Sequence, residues 1–318
     1  MAKAVLLFSG GLDSILTAHI LKREGIKAKA LYCHTVFSSL SKKDARGNLL
    51  RTLSPLKIPL KVVDISSRHI RLLKNARYGY GKNLNPCIDC KIVMFKEAAQ
   101  YRNSIGADFV ASGEVLGERP MSQRKDVFNI IERDSGLKGF ILRPLSAKLL
   151  KPTVAEDKGL IKRDNLYDIQ GRGRRKQLVL ADEFGIKDFP TPSGGCLLTN
   201  PSFCRRLKDI IVNKPDFDIY DCRLLKVGRH FRLSAHTKLI VSRNKDENAK
   251  LKKLAGKSAV IIYPLRAKGP FAVMEGKFNK RLINEAVYIT ARYCRGEGSS
   301  LRIKVNTPKD KYTVITGS

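Results

Sequence analysis

The sequence predicts an α/β protein, a parallel sheet flanked by helices, followed by a separate α+β domain. Three observations predict it. Short apolar runs alternate with helix-length amphipathic stretches through the first half of the chain. A glycine-rich turn follows the first of those runs. From about residue 200 the pattern changes to short β-type runs interspersed with Lys and Arg. Strands that alternate with helices imply a parallel sheet covered on both faces, and such sheets bind their ligands beyond the carboxyl ends of the strands.

The strand-like runs of the first half are residues 4–8, 28–33, 60–65 and 108–112. Residues 14–23 and 90–103 carry helical periodicity between them. The opening run ends in Gly-Gly-Leu-Asp, not in a cleavage site, so it reads as a buried first strand and not as a signal peptide. A connecting region over 146–199 holds a capping-box pattern, Thr153-Val-Ala-Glu156. It also holds a basic cluster, Gly171-Arg-Gly-Arg-Arg-Lys176, and ends in the turn-rich Thr191-Pro-Ser-Gly-Gly-Cys196. In the last part, residues 202–211 read as a helix and 238–242, 259–263, 271–274 and 301–305 as strands. The expected organisation is a nucleotide-binding catalytic domain over 1–145, the connecting region over 146–199 and a basic α+β domain over 200–318.

Charge narrows the partners. The 318 residues carry 61 Lys and Arg against 29 Asp and Glu, a net charge of +32, which marks a partner of polyanions. No long basic amphipathic helix with an aromatic face argues for a membrane surface, and no stretch is long enough for a transmembrane helix. A cytoplasmic protein is expected. Its 7 cysteines are odd in number and irregularly spaced, which in such a chain argues against a disulfide framework and for thiol or metal chemistry. Cys33 falls in an apolar run and reads as core, and Cys204, Cys222 and Cys294 read as structural.

Ser9-Gly-Gly-Leu-Asp-Ser14 stands between the first strand and an amphipathic helix, where a phosphate cradle belongs. Gly10 and Gly11 let the backbone approach an anion, and the helix N-terminus aims its N–H groups at it. Ser9 and Ser14 add hydroxyls, and Asp13 suits a Mg²⁺ held between phosphates. The Gly-Lys-Ser/Thr ending of the usual P-loop is absent, so γ-phosphate transfer is not expected. This string resembles the PP-loop of ATP pyrophosphatases, whose sheet is of the adenine nucleotide alpha-hydrolase type. The resemblance implies cleavage of ATP between its α and β phosphates, adenylation of a substrate, and pyrophosphate held by Ser9, Gly10, Gly11, Asp13 and Ser14. Ala111-Ser112-Gly113, followed by Glu114, resembles that family's second nucleotide-contacting turn.

Cys87-Ile-Asp-Cys90 follows Asn85-Pro86 at an expected helix start, where the helix dipole favours thiolate. Cys196 lies in a glycine turn. A structural zinc site usually takes four ligands, and no His is close to either cysteine motif in sequence. A redox pair needs two cysteines, and three thiolates fit a [4Fe–4S] cluster with one open iron. With the PP-loop, the Asn-Pro-Cys-x-x-Cys-Lys and Pro-Ser-Gly-Gly-Cys-Leu-Leu-Thr segments resemble the tRNA thiouridylase branch over roughly residues 1–200. Some members of that branch use a three-cysteine cluster, and others a two-cysteine persulfide or disulfide pair. The resemblance therefore implies adenylation of a uridine carbonyl followed by sulfur transfer, with Cys87, Cys90, Cys196 and Asp13 catalytic, the three cysteines holding the cluster, and sulfide or a sulfur-carrier protein as donor.

Arg172, Arg174, Arg175 and Lys176 cluster at an expected helix start and suit RNA phosphates. Residues 200–318 carry 26 Lys and Arg against 10 Asp and Glu. The segments from Leu225 to Arg232 and from Lys238 to Asn248 resemble the NFACT-R domain, which is associated with RNA binding. Arg229 and Phe231 pair a charge with a ring that can stack on a base. An amide- or amidine-forming PP-loop ligase, or an RNA-binding protein with a degenerate nucleotide site, are the competing readings. Neither calls for the combination of an intact Ser9–Ser14 string, three placed cysteines and a charge of +32.

Overall fold

The computed structural model describes residues 1–190, 195–295 and 300–317, in two units, Met1–Thr199 and Asn200–Ser318. In the first unit the chain runs β1 (Lys3–Leu7), α1 (Leu12–Arg23), β2 (Lys27–His34), α2 (Lys42–Leu53), β3 (Leu60–Asp64), α3 (Ser66–Lys74), α4 (Cys87–Ser104), β4 (Phe109–Ser112), α5 (Lys125–Ser135) and β5 (Ile141–Leu142). The short α6 (Val154–Asp157) and α7 (Arg175–Glu183) follow. The sheet order is β3-β2-β1-β4-β5, and every pair is parallel. The α/β expectation holds. The Thr153 capping box forms at the start of α6. α2, α3, α5 and β5 are elements that periodicity alone did not single out.

Both faces of this sheet are covered because β1 and its neighbours are apolar at successive positions, the mark of a strand buried on both sides. Ala4, Leu6, Phe8, Phe109 and Ala111 pack with Leu12, Ile15, Leu16, Ile20 and Leu21 of α1. Val5, Leu31 and Val110 face the other way, onto Ile88, Ile92, Phe95 and Ala98 of α4. Full burial of each large aliphatic or aromatic side chain stabilises the fold by about 1.5–3 kcal/mol. Two helices, one bearing the phosphate loop and one bearing Cys87 and Cys90, are thereby fixed on opposite faces of the same strands.

The second unit runs α8 (Pro201–Asn213), α9 (Ile219–Leu224), β6 (Arg229–Ser234), β7 (Thr237–Val241), α10 (Lys245–Leu254), β8 (Val260–Pro264), β9 (Ala272–Gly276), α11 (Lys280–Ala291), β10 (Ser300–Asn306) and β11 (Lys311–Gly317). Its sheet is antiparallel in the order β11-β10-β8-β9-β7-β6. One face packs Ile283, Ala286 and Val287 of α11 on Leu239, Val260, Ile262 and Met274. The other packs Leu251 of α10 and Leu224 on Ile240 and Val273. Among the described residues, no helix is long and apolar enough to cross a membrane. Cys33, Cys204 and Cys222 are buried and Cys294 is partly so; burial pushes the Cys33 thiol up to about 12.

Candidate active site

Strand order alone locates a crevice. β1 lies between β2 and β4, so the chain leaves β1 in one direction and later returns to its other side. Ligands of open α/β sheets bind at this reversal, outside the carboxyl ends of the two strands. Ser9-Gly10-Gly11 leaves β1 there, and Ser112-Gly113-Glu114 leaves β4 beside it.

The Ser9 loop is shaped by its own hydroxyls. The Gly10 N–H donates to Ser14 Oγ at 3.1 Å, Ser14 Oγ donates to the Gly11 carbonyl at 2.8 Å, and the Gly11 N–H donates to Ser9 Oγ at 3.4 Å. Gly10 has φ +80°, and a Cβ there would stand 2.5 Å from Leu49. A Cβ on Gly113 would stand 2.6 Å from the Asp13 backbone, so a glycine is what lets the β4 turn close onto the start of α1. Ser112 and Glu114 are buried, and the Glu114 N–H donates to Ser112 Oγ at 3.3 Å.

Asp13 is the first residue here with an unsatisfied need. Its Oδ1 is buried and has no hydrogen-bond partner. Burial pushes the carboxyl up, while Arg174, the Gln177 amide and Arg119 pull it down. An orphaned carboxylate oxygen at a phosphate loop fits Mg²⁺, which takes one or two carboxylates and completes its shell with phosphates and water. Arg174 caps α7, and its Nε is buried without a partner. Gln177 is fully buried, and neither of its amide atoms closes a protein hydrogen bond. Arg174 thus stands among nucleotide-site groups. The other members of its cluster face elsewhere: Arg172 and Arg175 are exposed, and Lys176 pairs with Asp168 at 2.8 Å. Sequence reasoning passed over Gln177, although a polar residue in phase with the buried Leu180 and Ala181 of the same helix is a readable signal.

The thiols gather on the far side of this crevice. α4 starts at Cys87 with Pro86 as its cap, one turn earlier than the expected 90–103. Asn85 donates its amide to Cys87 Sγ at 3.1 Å. The third thiol arrives on a segment stitched to the chain after β2, where Ser38 bridges Cys196 and the Leu197 N–H donates to the Phe37 carbonyl at 2.8 Å. Thr191, Pro192, Ser193 and Gly194 of that turn lie outside the described residues. The expectation that the helix start favours a Cys90 thiolate is overturned. Burial pushes the Cys90 thiol above its ordinary range, Cys196 and Cys87 push it further, and Lys91 only partly opposes them. Desolvation of a thiolate outweighs the partial charge of a helix end.

A histidine, invisible in the local sequence, is also present. His69 Nδ1 lies 4.0 Å from Cys90 Sγ and pairs with Thr35 Oγ1 at 2.9 Å. Burial lowers its pKa to about 4, so this imidazole is neutral at pH 7. Among the described residues no three His, Cys, Asp or Glu side chains stand where they could hold a metal ion. Cys87 and Cys196 thus gather around Cys90, but as placed the three do not form such a group.

The two halves of the site are linked by charge. Lys91, next to Cys90, ion-pairs with Glu114 at 3.1 Å, next to the Gly113 that packs on Asp13. Arg143 pairs with Glu114 at 3.1 Å and with Glu132 at 2.6 Å, and its guanidinium lies over the Phe128 ring. Burial alone would raise Glu114, but Lys91 and Arg143 hold it below the usual carboxylate range. A wider recess of about 660 Å³, lined by Arg23, Glu24 and residues 159–162 and 165, contains none of these groups.

In the second unit Arg229 and Phe231 sit on β6. The Arg229 guanidinium lies 4.5 Å from the centroid of Tyr293, and the Phe231 ring lies 6.3 Å from it. Phe231 is partly buried against the α11 core, so its ring is committed in part to packing.

Comparison with known proteins matches each unit to a different family. Residues 1–154 match the family described as thiamine biosynthesis protein (ThiI). Residues 228–317 match the NFACT protein RNA binding domain. The chain is similar to the tRNA-specific 2-thiouridylase MnmA of Desulfosudis oleivorans, with 32% identity over 111 residues, 34% of this chain and 30% of that protein. Against the protein of the same name from Petrotoga mobilis, identity is 26% over 290 residues, 82% of this chain and 75% of that protein. In the matches to Desulfosudis oleivorans and Sulfurimonas denitrificans, the chain spans about a third of the relative's length.

Proposed function

We infer that the chain is an ATP-dependent tRNA sulfurtransferase, a reading supported by its ThiI/MnmA-like PP-loop segment and by its C-terminal match to the NFACT protein RNA binding domain. The observation that carries this reading is the Lys91–Glu114 ion pair. It couples the cysteine-bearing helix α4 to the turn that closes on the phosphate loop, so that activation and sulfur delivery share one crevice.

Ser9, Gly10, Gly11 and Ser14 cradle the β and γ phosphates of ATP, with Ala111, Ser112 and Gly113 forming the second wall of the nucleotide site. Asp13 would hold Mg²⁺ there, and Arg174 and Arg119 neutralise charge on the departing pyrophosphate. A uridine carbonyl oxygen attacks the α-phosphorus, pyrophosphate leaves, and the base oxygen becomes an adenylate leaving group. In the version that the thiols as placed support best, the terminal sulfur of a cysteine persulfide attacks the activated carbon and AMP departs. A second cysteine then attacks the bridging sulfur, which frees the thiocarbonyl and leaves a disulfide for an external reductant. Cys90 and Cys196 are the favoured pair because, of the thiols around Cys90, Cys196 acts on it most strongly. The neutral His69 lies beside Cys90, where it orients the sulfur. A sulfur-carrier protein that bears a persulfide transfers its outer sulfur to the cysteine, whereas sulfide itself would serve only the cluster version below.

The convergence of Cys87 with that pair favours a second version, in which the three cysteines hold a [4Fe–4S] cluster that would present sulfide on an open iron. Their spacing as it stands does not match that group, and no step is drawn through it. The iron content and visible spectrum of anaerobically purified protein separate the two. Full activity without iron establishes the persulfide version, and activity that rises and falls with bound iron establishes the cluster.

A further inference from the structure

The C-terminal domain contains a cavity that phosphate binding does not explain. It encloses about 360 Å³ between the end of α8, α9, the β6–β7 hairpin and the end of β9, within the range of about 300–1,000 Å³ typical of small-molecule pockets. Ile210, Leu224, Leu225 and Ile240 form apolar walls.

Its cations are largely spent. Lys214 pairs with Asp221 at 2.8 Å, and Asp209 takes Arg232 at 2.6 Å and Lys238 at 2.7 Å. Burial would raise Asp209, but Arg232 and Lys238 hold it at about 2, so these pairs stay ionised. A phosphate entering here would meet cations already neutralised by carboxylates. The unspent groups are acceptors instead. His230 Nε2–H donates to the Val227 carbonyl at 2.9 Å, which leaves Nδ1 with a lone pair, buried and without a partner. Tyr220 donates to one oxygen of Glu275 at 2.5 Å; each carboxylate oxygen has two lone pairs, so Glu275 keeps acceptor capacity for a ligand.

An apolar slot offering acceptors suits a neutral, planar, donor-rich guest, and the part of its lining from His230 to Lys277 lies within the residues that match an RNA-binding domain. We propose that this cavity takes one unstacked nucleobase of the bound RNA, with guanine the best match. Guanine presents N1–H and N2–H as adjacent donors to a carboxylate, and uracil has no exocyclic amino group. Single-stranded RNA is read in this way, by bases splayed out of the stack and hydrogen-bonded on their edges. Exposed Lys277, at the rim, is placed to meet a flanking phosphate.

The test is fluorescence anisotropy of the full chain with labelled RNA nonamers, all uridine except for a central guanine, adenine, cytosine or uridine. The guanine nonamer should bind about 10-fold more tightly than the all-uridine one, as expected for a well-made contact to a base edge. Glu275→Gln removes the acceptor pair. Ala235→Trp, at an exposed position on the rim, plugs the mouth without touching the core. Either change should erase the guanine preference while leaving all-uridine binding and its salt slope unchanged, with melting temperature confirming the fold. Equal binding of all four nonamers by the unaltered protein overturns the proposal. So does a guanine preference that survives Ala235→Trp, or an equal loss for every nonamer, which would make this face a backbone surface only.

Discussion

The two domains carry the same net charge and use it differently. Residues 1–199 and residues 200–318 each hold an excess of 16 basic residues, but the second packs it into a much shorter chain. In the N-terminal site, buried polar atoms stand unsatisfied: Asp13 Oδ1, Arg174 Nε, both amide atoms of Gln177 and one Arg143 nitrogen. In the C-terminal domain, cations from the buried Lys238 to the exposed Lys214 and Arg243 pair with Asp209, Asp221 and Glu247, while Arg206 Nε and His230 Nδ1 are buried without a partner. Unpaired buried groups are costly and persist where a ligand completes them. Paired ones hold a scaffold and leave the exposed excess to attract a polyanion. Among the described residues, unsatisfied buried atoms are thus concentrated in the N-terminal domain, around Asp13 above all, and are fewer in the C-terminal one.

Removing the sulfur chemistry should have the largest effect. Cys90→Ser or Cys196→Ser should reduce thiolation to background while pyrophosphate release stays within about twofold, since the thiols act after adenylation. Loss of both activities together would break the division of labour inside the crevice. Asp13→Asn should slow pyrophosphate release and thiolation alike by about 10²–10³-fold, the range for a group that stabilises transition-state charge, with RNA affinity unchanged. Thiolation that survives this change would remove the Ser9–Ser14 loop from the mechanism.

The buried pair between the half-sites tests stability. Arg143→Met leaves Glu114 and Glu132 without their guanidinium and should cost about 3–5 kcal/mol, read by urea denaturation. The effect should be confined to the N-terminal domain's transition.

pH separates the domains more gently, through a histidine in each whose pKa burial lowers most. Burial lowers His69 to about 4 and His230 to about 3 from an ordinary 6.5. Between those values and 6.5 the unfolded chain binds a proton that the folded one refuses, so stability rises with pH across that window and falls as pH drops from 6.5 toward 4 and 3. Each such proton contributes up to about 1.4 kcal/mol per pH unit. His69→Gln should flatten the slope of the first domain only. The smallest effect is expected from Arg229→Ala, which should weaken RNA binding a few-fold for every sequence and reduce the salt slope by about one.

How much of this was legible follows the range of the interactions. The parallel sheet was readable because β1 to β4 are apolar runs with a local signature, and Gly10 because one turn needs a residue at positive φ. β5 escaped because two residues leave no pattern. His69, Lys91 and Glu114 escaped as a group because their pairing is set by strand order, which brings together residues that lie dozens of positions apart. The thiolate expected at Cys90 failed for the same reason. Helix position is local and legible, whereas burial in the surrounding core and the charge of the distant Cys196 are not.

The central claim is tested most directly by incubating the purified chain with unmodified tRNA, ATP, Mg²⁺, a reductant and, in parallel reactions, sulfide or a persulfide-bearing sulfur-carrier protein, then analysing the nucleosides by mass spectrometry. A persulfide-bearing carrier can load a cysteine and sulfide can serve an open iron, so the paired reactions cover both versions. The account predicts a uridine gaining sulfur in place of oxygen, with AMP and pyrophosphate formed in equal amount, and no product when ATP is omitted. AMP and pyrophosphate released without any thiolated nucleoside, or sulfur incorporated without ATP, would contradict it.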